Sequence, residues 1–308
     1  ESPEPLPGLE CLGRTIGDFA LEVGGCRVAL DEILPAYERP LEEVYPSALP
    51  TPKAAVPVYR YEKGPACAGP AVKAARPRVL IPAFPGTNCE YDTAAAFEKA
   101  GAEPTTFVVR NRSAADIEWS VAEFEKLVRQ ANIIAIPGGF SGGDEPDGSG
   151  KFITAFLRNP AIAQAVMELL KKRDGLMLGI CNGFQALIKL GLVPFGEIRE
   201  PEEGGPTLTF NRIGRHQAKM VRTAVCSNLS PWLMHTKPGD VYTLPVSHGE
   251  GRFVASPELV ASLAQSGQIA CQYVDPQGRP TLDTAYNPNF SLDAIEAITS
   301  PDGRVLGK

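Results

Sequence analysis

From residue 78 onward, apolar and polar positions alternate in blocks that predict strand, helix, strand, helix. Residues 78–84 form a short apolar run suited to a strand buried on both faces of a parallel sheet. A helix is expected over residues 91–100, closed by Gly101 beyond its last turn. Residues 105–109 read as the next strand, and Ser120 with Glu123 has capping-box spacing ahead of a helix that runs to Gln130. Residues 132–136 supply a third strand, and 162–172 a helix that Asp174 and Gly175 end. A fourth strand over 176–180 runs straight into a helix over 183–190, stopped by Gly191. Past Thr207 the pattern turns to mixed strands and longer loops, and Asp302 with Gly303 predicts a hairpin turn into a last strand at 304–307. Such alternation implies an α/β fold, a doubly wound and mainly parallel sheet with helices on both faces and ligands at the strands' C-terminal ends.

The first 77 residues break this pattern. A strand over 14–23 and a helix over 30–44 are too few residues for a core of their own, so residues 1–46 read as the C-terminal tail of another domain. Residues 47–77 are rich in Pro, Ala and Gly without an apolar period, which reads as an extended linker and the segment a protease would cut first. The net charge of -6, with no basic stripe, argues against a nucleic-acid surface. No apolar run approaches the roughly 18 residues a membrane span requires, so no membrane partner is expected and the chain reads as cytoplasmic. The seven cysteines include no C-x-x-C pair, which removes the strongest zinc signature and leaves no metal site to predict.

Three stretches carry chemistry. In Leu178-Gly179-Ile180-Cys181-Asn182-Gly183-Phe184-Gln185, an apolar strand runs into Cys181 and then directly into a helix. Small residues two before and two after the cysteine permit a tight strand-to-helix turn that projects a nucleophile, and the helix N-terminus favours negative charge on its sulfur. The plain alternative is a buried cysteine ending a core strand. Pro137-Gly138-Gly139-Phe140-Ser141-Gly142-Gly143-Asp144 follows the third strand. It is suited either to a close-approaching donor loop for an oxyanion, alongside the N–H of Asn182, or to a plain flexible loop. Ser247-His248-Gly249-Glu250-Gly251-Arg252-Phe253 is the third, and on residue types alone His248 and Glu250 could complete a Cys–His–Glu triad.

With Phe84-Pro85-Gly86-Thr87-Asn88-Cys89-Glu90 and Asn211-Arg212-Ile213-Gly214-Arg215, these stretches resemble the class I (triad) glutamine amidotransferases. Within that class the chain is most similar to the glutaminase domains of phosphoribosylformylglycinamidine synthases, over nearly all of residues 78–308. The resemblance implies a flavodoxin-like fold and an amide-hydrolysing, carbon–nitrogen ligase-type activity in purine biosynthesis. Cys181 would be the nucleophile, and Gly139 and Asn182 the oxyanion hole. Gly138, Gln185, Ser247, His248, Gly249 and Glu250 would bind glutamine, and Cys89 would line or support the pocket. It implies no cofactor in this domain, with ATP and Mg²⁺ in a synthetase domain of the same parent chain that receives the ammonia. In that family the base and its orienting acid form a separate H-x-E motif beyond the last strand. That motif is expected after Lys308, so the glutaminase domain, residues 78–308, is expected to be truncated, folded and nearly inactive by itself. The remaining alternatives are a domain that caps the synthetase without hydrolysing glutamine, or another α/β enzyme with a cysteine at a strand–helix turn.

Overall fold

The computed structural model describes residues 3–4, 6–52, 54–64, 73–141 and 149–308. Three members of the expected donor loop, Gly142, Gly143 and Asp144, lie outside the described residues, as do residues 53 and 65–72 of the expected linker. The chain divides into two units, Glu1–Leu49 and Pro50–Lys308.

In the first unit β1 (Ala20–Val23) and β2 (Cys26–Ala29) pair antiparallel around Gly24 and Gly25, whose φ values of 58° and 81° permit the tight reversal. The expected strand over 14–23 is thus confined to its last four residues. Helix α1 (Leu30–Glu38) stops short of the expected 44, because Pro40 has no amide to continue it and the chain tightens into a 3₁₀ turn at Arg39–Leu41. None of the described residues of this unit is buried, so it has no core of its own.

The second unit begins its regular structure with β3 (Arg78–Ala83), α2 (Glu90–Lys99), β4 (Glu103–Val108), α3 (Ala114–Gln130) and β5 (Ile133–Ile136). It continues through α4 (Lys151–Leu157), α5 (Pro160–Lys172), β6 (Leu176–Gly179), α6 (Asn182–Leu190) and the short α7 (Leu192–Phe195). Then come β7 (Thr207–Thr209), β8 (Gln217–Val225), β9 (Val241–His248), β10 (Arg252–Val254), α8 (Pro257–Ser266), β11 (Ile269–Val274), β12 (Ile295–Thr299) and β13 (Val305–Gly307). Among the described residues the main sheet has nine strands in the order β4-β3-β5-β6-β13-β12-β11-β8-β9. The half from β4 to β13 is parallel and has the second-first-third-fourth-fifth order of a flavodoxin-like sheet. From β13 to β9 every pairing is antiparallel, which is where the mixed pattern past Thr207 falls.

β3 shows why its sequence lacks polar alternation. Val79 and Ile81 face Phe97 of α2 on one side, while Leu80 joins Phe124, Leu169 and Leu187 of α3, α5 and α6 on the other. Both faces are covered, so every position from Val79 to Ala83 is buried. Each fully buried side chain of the size of Phe124 or Ile134 contributes about 1.5–3 kcal/mol.

Two expectations are corrected. Helix α3 starts two turns earlier than expected, capped by Ser113, whose Oγ accepts the Asp116 N–H at 3.1 Å. Ser120 lies inside the helix, fully buried, with its Oγ accepting the Arg110 N–H at 2.9 Å. Part of the stretch 47–77 is not free: Tyr61 N–H donates to Cys226 O at 2.9 Å and Gly64 N–H to Asn228 Oδ1 at 3.1 Å. Residues 56–64 therefore form a strap along the antiparallel half of the sheet, and hydrogen-bonded backbone of this kind resists a protease. Among the described residues no helix is long and apolar enough to cross a membrane.

Candidate active site

Cys181 sits at the joint of β6 and α6 with φ 52° and ψ −106°, a backbone geometry that L residues adopt only where the surroundings hold it. Those surroundings are closely packed. Ile180 N–H donates to Ile136 O at 3.0 Å and Gly183 N–H to Ile180 O at 2.9 Å, closing the turn. A Cβ on Gly179 would fall 2.7 Å from the Gly183 backbone, and one on Gly183 would fall 2.3 Å from Ile136 O. The two glycines are thus required by the approach of α6 to β5 and β6. Cys181 N–H donates to Lys308 O at 2.8 Å and Lys308 N–H to Gly179 O at 3.0 Å, so the end of β13 is tied to the same joint.

The loop after β5 approaches the thiol from the other side. A Cβ on Gly138 would lie 3.3 Å from Cys181 Cβ and 3.9 Å from its Sγ. Gly139, at φ 125°, leaves no room for a side chain, since a Cβ there would lie 2.5 Å from Gly86 O. The loop after β3 clasps it: Asn88 N–H donates to Gly138 O at 3.0 Å and Phe140 N–H to Gly86 O at 2.9 Å. Cys89, expected to line or support the pocket, is instead the exposed cap residue of α2 and is not part of the cavity wall.

Beside Cys181 opens a cavity of about 270 Å³ whose wall includes Ser247, His248 and Glu250. The Cys181 thiol lies 3.6 Å from Ser247 O. The antiparallel half adds Tyr273, Asn289, Glu296 and Lys308, none of which the sequence singled out, because they come from separate strands and a loop that meet only in the folded chain. Lys308 Nζ and Glu296 Oε2 form an ion pair at 3.0 Å. A larger cavity of about 540 Å³ lies by α4 and Arg199, but Arg158 and Arg199 are paired there with Glu200 and Glu202, and it has no cysteine or histidine in its wall.

A buried web connects the joint to the wall. Asn182 Oδ1 accepts from Ser141 Oγ at 2.6 Å, and its Nδ2 donates to Gln185 Oε1 at 3.0 Å. Gln185 Nε2 donates to Glu250 O, and Glu250 Oε2 accepts the Ser149 N–H at 3.0 Å. Gln185 consequently stands behind the cavity wall and holds Glu250 in place. Gly249 is also out of the wall, in a turn clamped by Asn211: Gly249 O accepts the Asn211 N–H at 2.8 Å and His248 O accepts from Asn211 Nδ2 at 2.8 Å.

The imidazole of His248 packs onto Gly251, where a Cβ would lie 2.9 Å from the ring, and both its nitrogens are buried without a hydrogen-bond partner among the described residues. Burial, aided by the nearby His216, pushes its pKa down to about 4. His248 is therefore neutral near pH 7. Its folded pKa lies below the unfolded value of 6.5, so the unfolded chain binds the proton first and stability falls as pH drops from about 6.5 to about 4. His248→Phe should flatten that part of a pH–stability curve measured by urea unfolding, and an unchanged slope would assign the acid sensitivity to another group. The other buried thiols are unsuited to nucleophilic chemistry: burial pushes Cys226 up, and Cys271 up to about 12. Among the described residues no group of three or more His, Cys, Asp and Glu side chains is placed to hold a metal ion.

The joint at Cys181, with its glycine loop and cavity, lies at the C-terminal edge of a flavodoxin-like sheet, where such folds place their ligands. The profile of the CobB/CobQ-like glutamine amidotransferase domain matches residues 76–308, and the chain belongs to that family. It is 34% identical over 229 residues to the phosphoribosylformylglycinamidine synthase subunit PurQ of Gloeobacter violaceus, covering 73% of this chain and 83% of that one. It is also 34% identical to the PurQ subunit of Cereibacter sphaeroides, over 75% of this chain and 85% of the relative. Among solved structures, that of PurLQS from Thermotoga maritima is similar at a TM-score of 0.54 and 25% identity, covering 75% of this chain and 85% of the matched one.

Proposed function

We propose that the second unit hydrolyses the side-chain amide of glutamine and supplies the ammonia to phosphoribosylformylglycinamidine synthesis in purine biosynthesis. The observation that carries the reading is Cys181, strained at the joint of β6 and α6 and opening on the cavity walled by Ser247, His248 and Glu250. In the proposed reaction the Cys181 sulfur attacks the amide carbon, and the N–H groups of Asn182 and Gly139 stabilise the oxyanion. The C–N bond then breaks, ammonia leaves with a proton from the base, and water cleaves the thioester. Gly138, Ser247, His248 and Glu250 are assigned to holding glutamine, with Gln185 as the support of Glu250 and Gly249 as part of the clamped turn between His248 and Glu250.

His248 and Glu250 are the H-x-E of residues 1–308, but their geometry supports binding over proton transfer. Glu250 Oε2 is bonded to Ser149 N–H, and neither imidazole nitrogen of His248 has a partner among the described residues, so Glu250 does not orient the ring. The base is assigned to the separate H-x-E motif of the family, a role that His248 and Glu250 do not fill. The partner is a synthetase domain of the same parent chain, where ATP and Mg²⁺ would serve the amidine-forming step; no residue here is assigned to either.

Labelling tests this reading. A glutamine-like chloroketone at low concentration should modify Cys181 and spare Cys89, and Cys181→Ala should remove the label. Label that persists in Cys181→Ala, or falls mainly on Cys89, would defeat the assignment of the nucleophile.

A further inference from the structure

The strap over residues 56–64 precedes the family-matching region, which begins at residue 76, yet it completes a buried polar centre inside that region. Gln272 of β11 is 1% exposed. Its Oε1 accepts the Tyr59 N–H at 3.0 Å, and its Nε2 donates to Pro57 O at 2.9 Å and to Asp293 O at 2.7 Å. Without the strap a buried amide loses two partners, which is costly. Tyr61 lies against Gly267, where a Cβ would fall 2.5 Å from the ring, so the strap is packed as well as bonded.

The strap also reaches the loop that braces the cavity. Tyr59 Oη donates to Asp293 Oδ2 at 2.6 Å. Asp293 and Ala294 have φ values of 49° and 58°, and Phe290 has 63°, three non-glycine residues in the left-handed region within one short loop. Such conformations persist only where their neighbours over-determine them. In this loop Asn289 Nδ2 donates to Gly251 O at 2.7 Å, and Ser291 Oγ donates to the same oxygen at 3.3 Å. Asn289 and Gly251 both line the cavity, and Gly251 follows Glu250, which Gln185 supports from behind. Burial, and then the hydrogen bond to Asp293, push the Tyr59 phenol pKa up, so it remains a donor.

We propose that Tyr59 is a positioning residue for the glutamine pocket: its bond to Asp293 holds the strained loop so that Asn289 and Ser291 fix Gly251 and the pocket wall beside it. The proposal rests on the cavity being the glutamine pocket. It makes the chain segment that leaves the first unit a determinant of glutamine affinity, so that displacing the strap loosens the site without touching Cys181.

The test is calorimetry with L-glutamine on the full-length protein carrying Cys181→Ser, which binds without turnover. Adding Tyr59→Phe should raise the Kd about tenfold, the scale of one lost hydrogen bond to a charged group. Asp293→Ala should do the same, the double variant should be no worse than either, and Asp293→Asn, which keeps the acceptor oxygen, should bind as the parent does. A strap that is only a structural staple would lower the thermal midpoint in Tyr59→Phe and leave the Kd unchanged. That result, or additive effects of Tyr59→Phe and Asp293→Ala, would overturn the proposal. Absence of glutamine binding in the Cys181→Ser parent itself would instead defeat the reading of the cavity, and the proposal with it.

Discussion

Cys181→Ala in the full-length protein is expected to abolish glutamine-dependent turnover while leaving turnover with free ammonium intact. In the proposed reaction the nucleophile acts as a unit with its base, and removing one member of such a set typically costs about 10⁴–10⁶-fold in rate. Among the described thiols of the second unit no other can substitute. Cys226 and Cys271 are buried, with the thiol disfavoured from ionising, and Cys89 lies outside the cavity wall. The ammonium control follows from the proposed division of labour, since exogenous ammonia bypasses the amide and enters at the synthetase step. Ammonia release and amidine formation, measured side by side with glutamine or ammonium chloride, check both halves. Glutaminase activity that survives Cys181→Ala would place the nucleophile elsewhere. Loss of ammonium-driven synthesis as well would mean that the substitution damages more than the thiol.

The parallel half of the fold was legible in the sequence because its signals are local. β3, β5 and β6 are apolar runs, and glycines follow α2 and α6 at Gly101 and Gly191. The joint at Cys181 was legible for the same reason: Gly179 and Gly183 leave a mark at fixed spacing that packing demands. The start of α3 differs from the expectation because Ser113 and Ser120 are both plausible caps, and only the contact with the Arg110 backbone, ten residues earlier in the chain, shows that Ser120 is already engaged. Tyr273, Asn289, Glu296 and Lys308 gave no signal, since antiparallel pairing brings them from separate strands and loops into one wall. The strap was misread for a related reason. Its Pro and Ala content carries no apolar period, and the buried partner that binds it, Gln272, lies more than two hundred residues away in sequence.

Gly183→Ala isolates the packing part of this site from its chemistry. On an isolated helix the change would help, because Ala exceeds Gly in helix propensity by about 0.8–1 kcal/mol. Here the added Cβ would lie 2.3 Å from Ile136 O and 3.0 Å from both the carbonyl carbon and Cβ of Ile136. Those are mainly backbone atoms of a strand hydrogen-bonded on both sides, so the neighbour cannot swing away and α6 must move instead. Overpacking of a close-fitting core costs about 1–3 kcal/mol, enough to outweigh the propensity gain. For a unit of this size that corresponds to a fall in Tm of roughly 2–4 °C per kcal/mol. The displacement also carries Asn182 and Cys181 with the helix. A misplacement of about 1 Å at a reacting centre is worth about 10²-fold in rate, so chloroketone labelling of Cys181 should slow by that order in protein that is still folded. A variant with unchanged Tm and labelling rate would show that the joint tolerates a side chain, and that the glycine reflects no steric demand of the nucleophile turn.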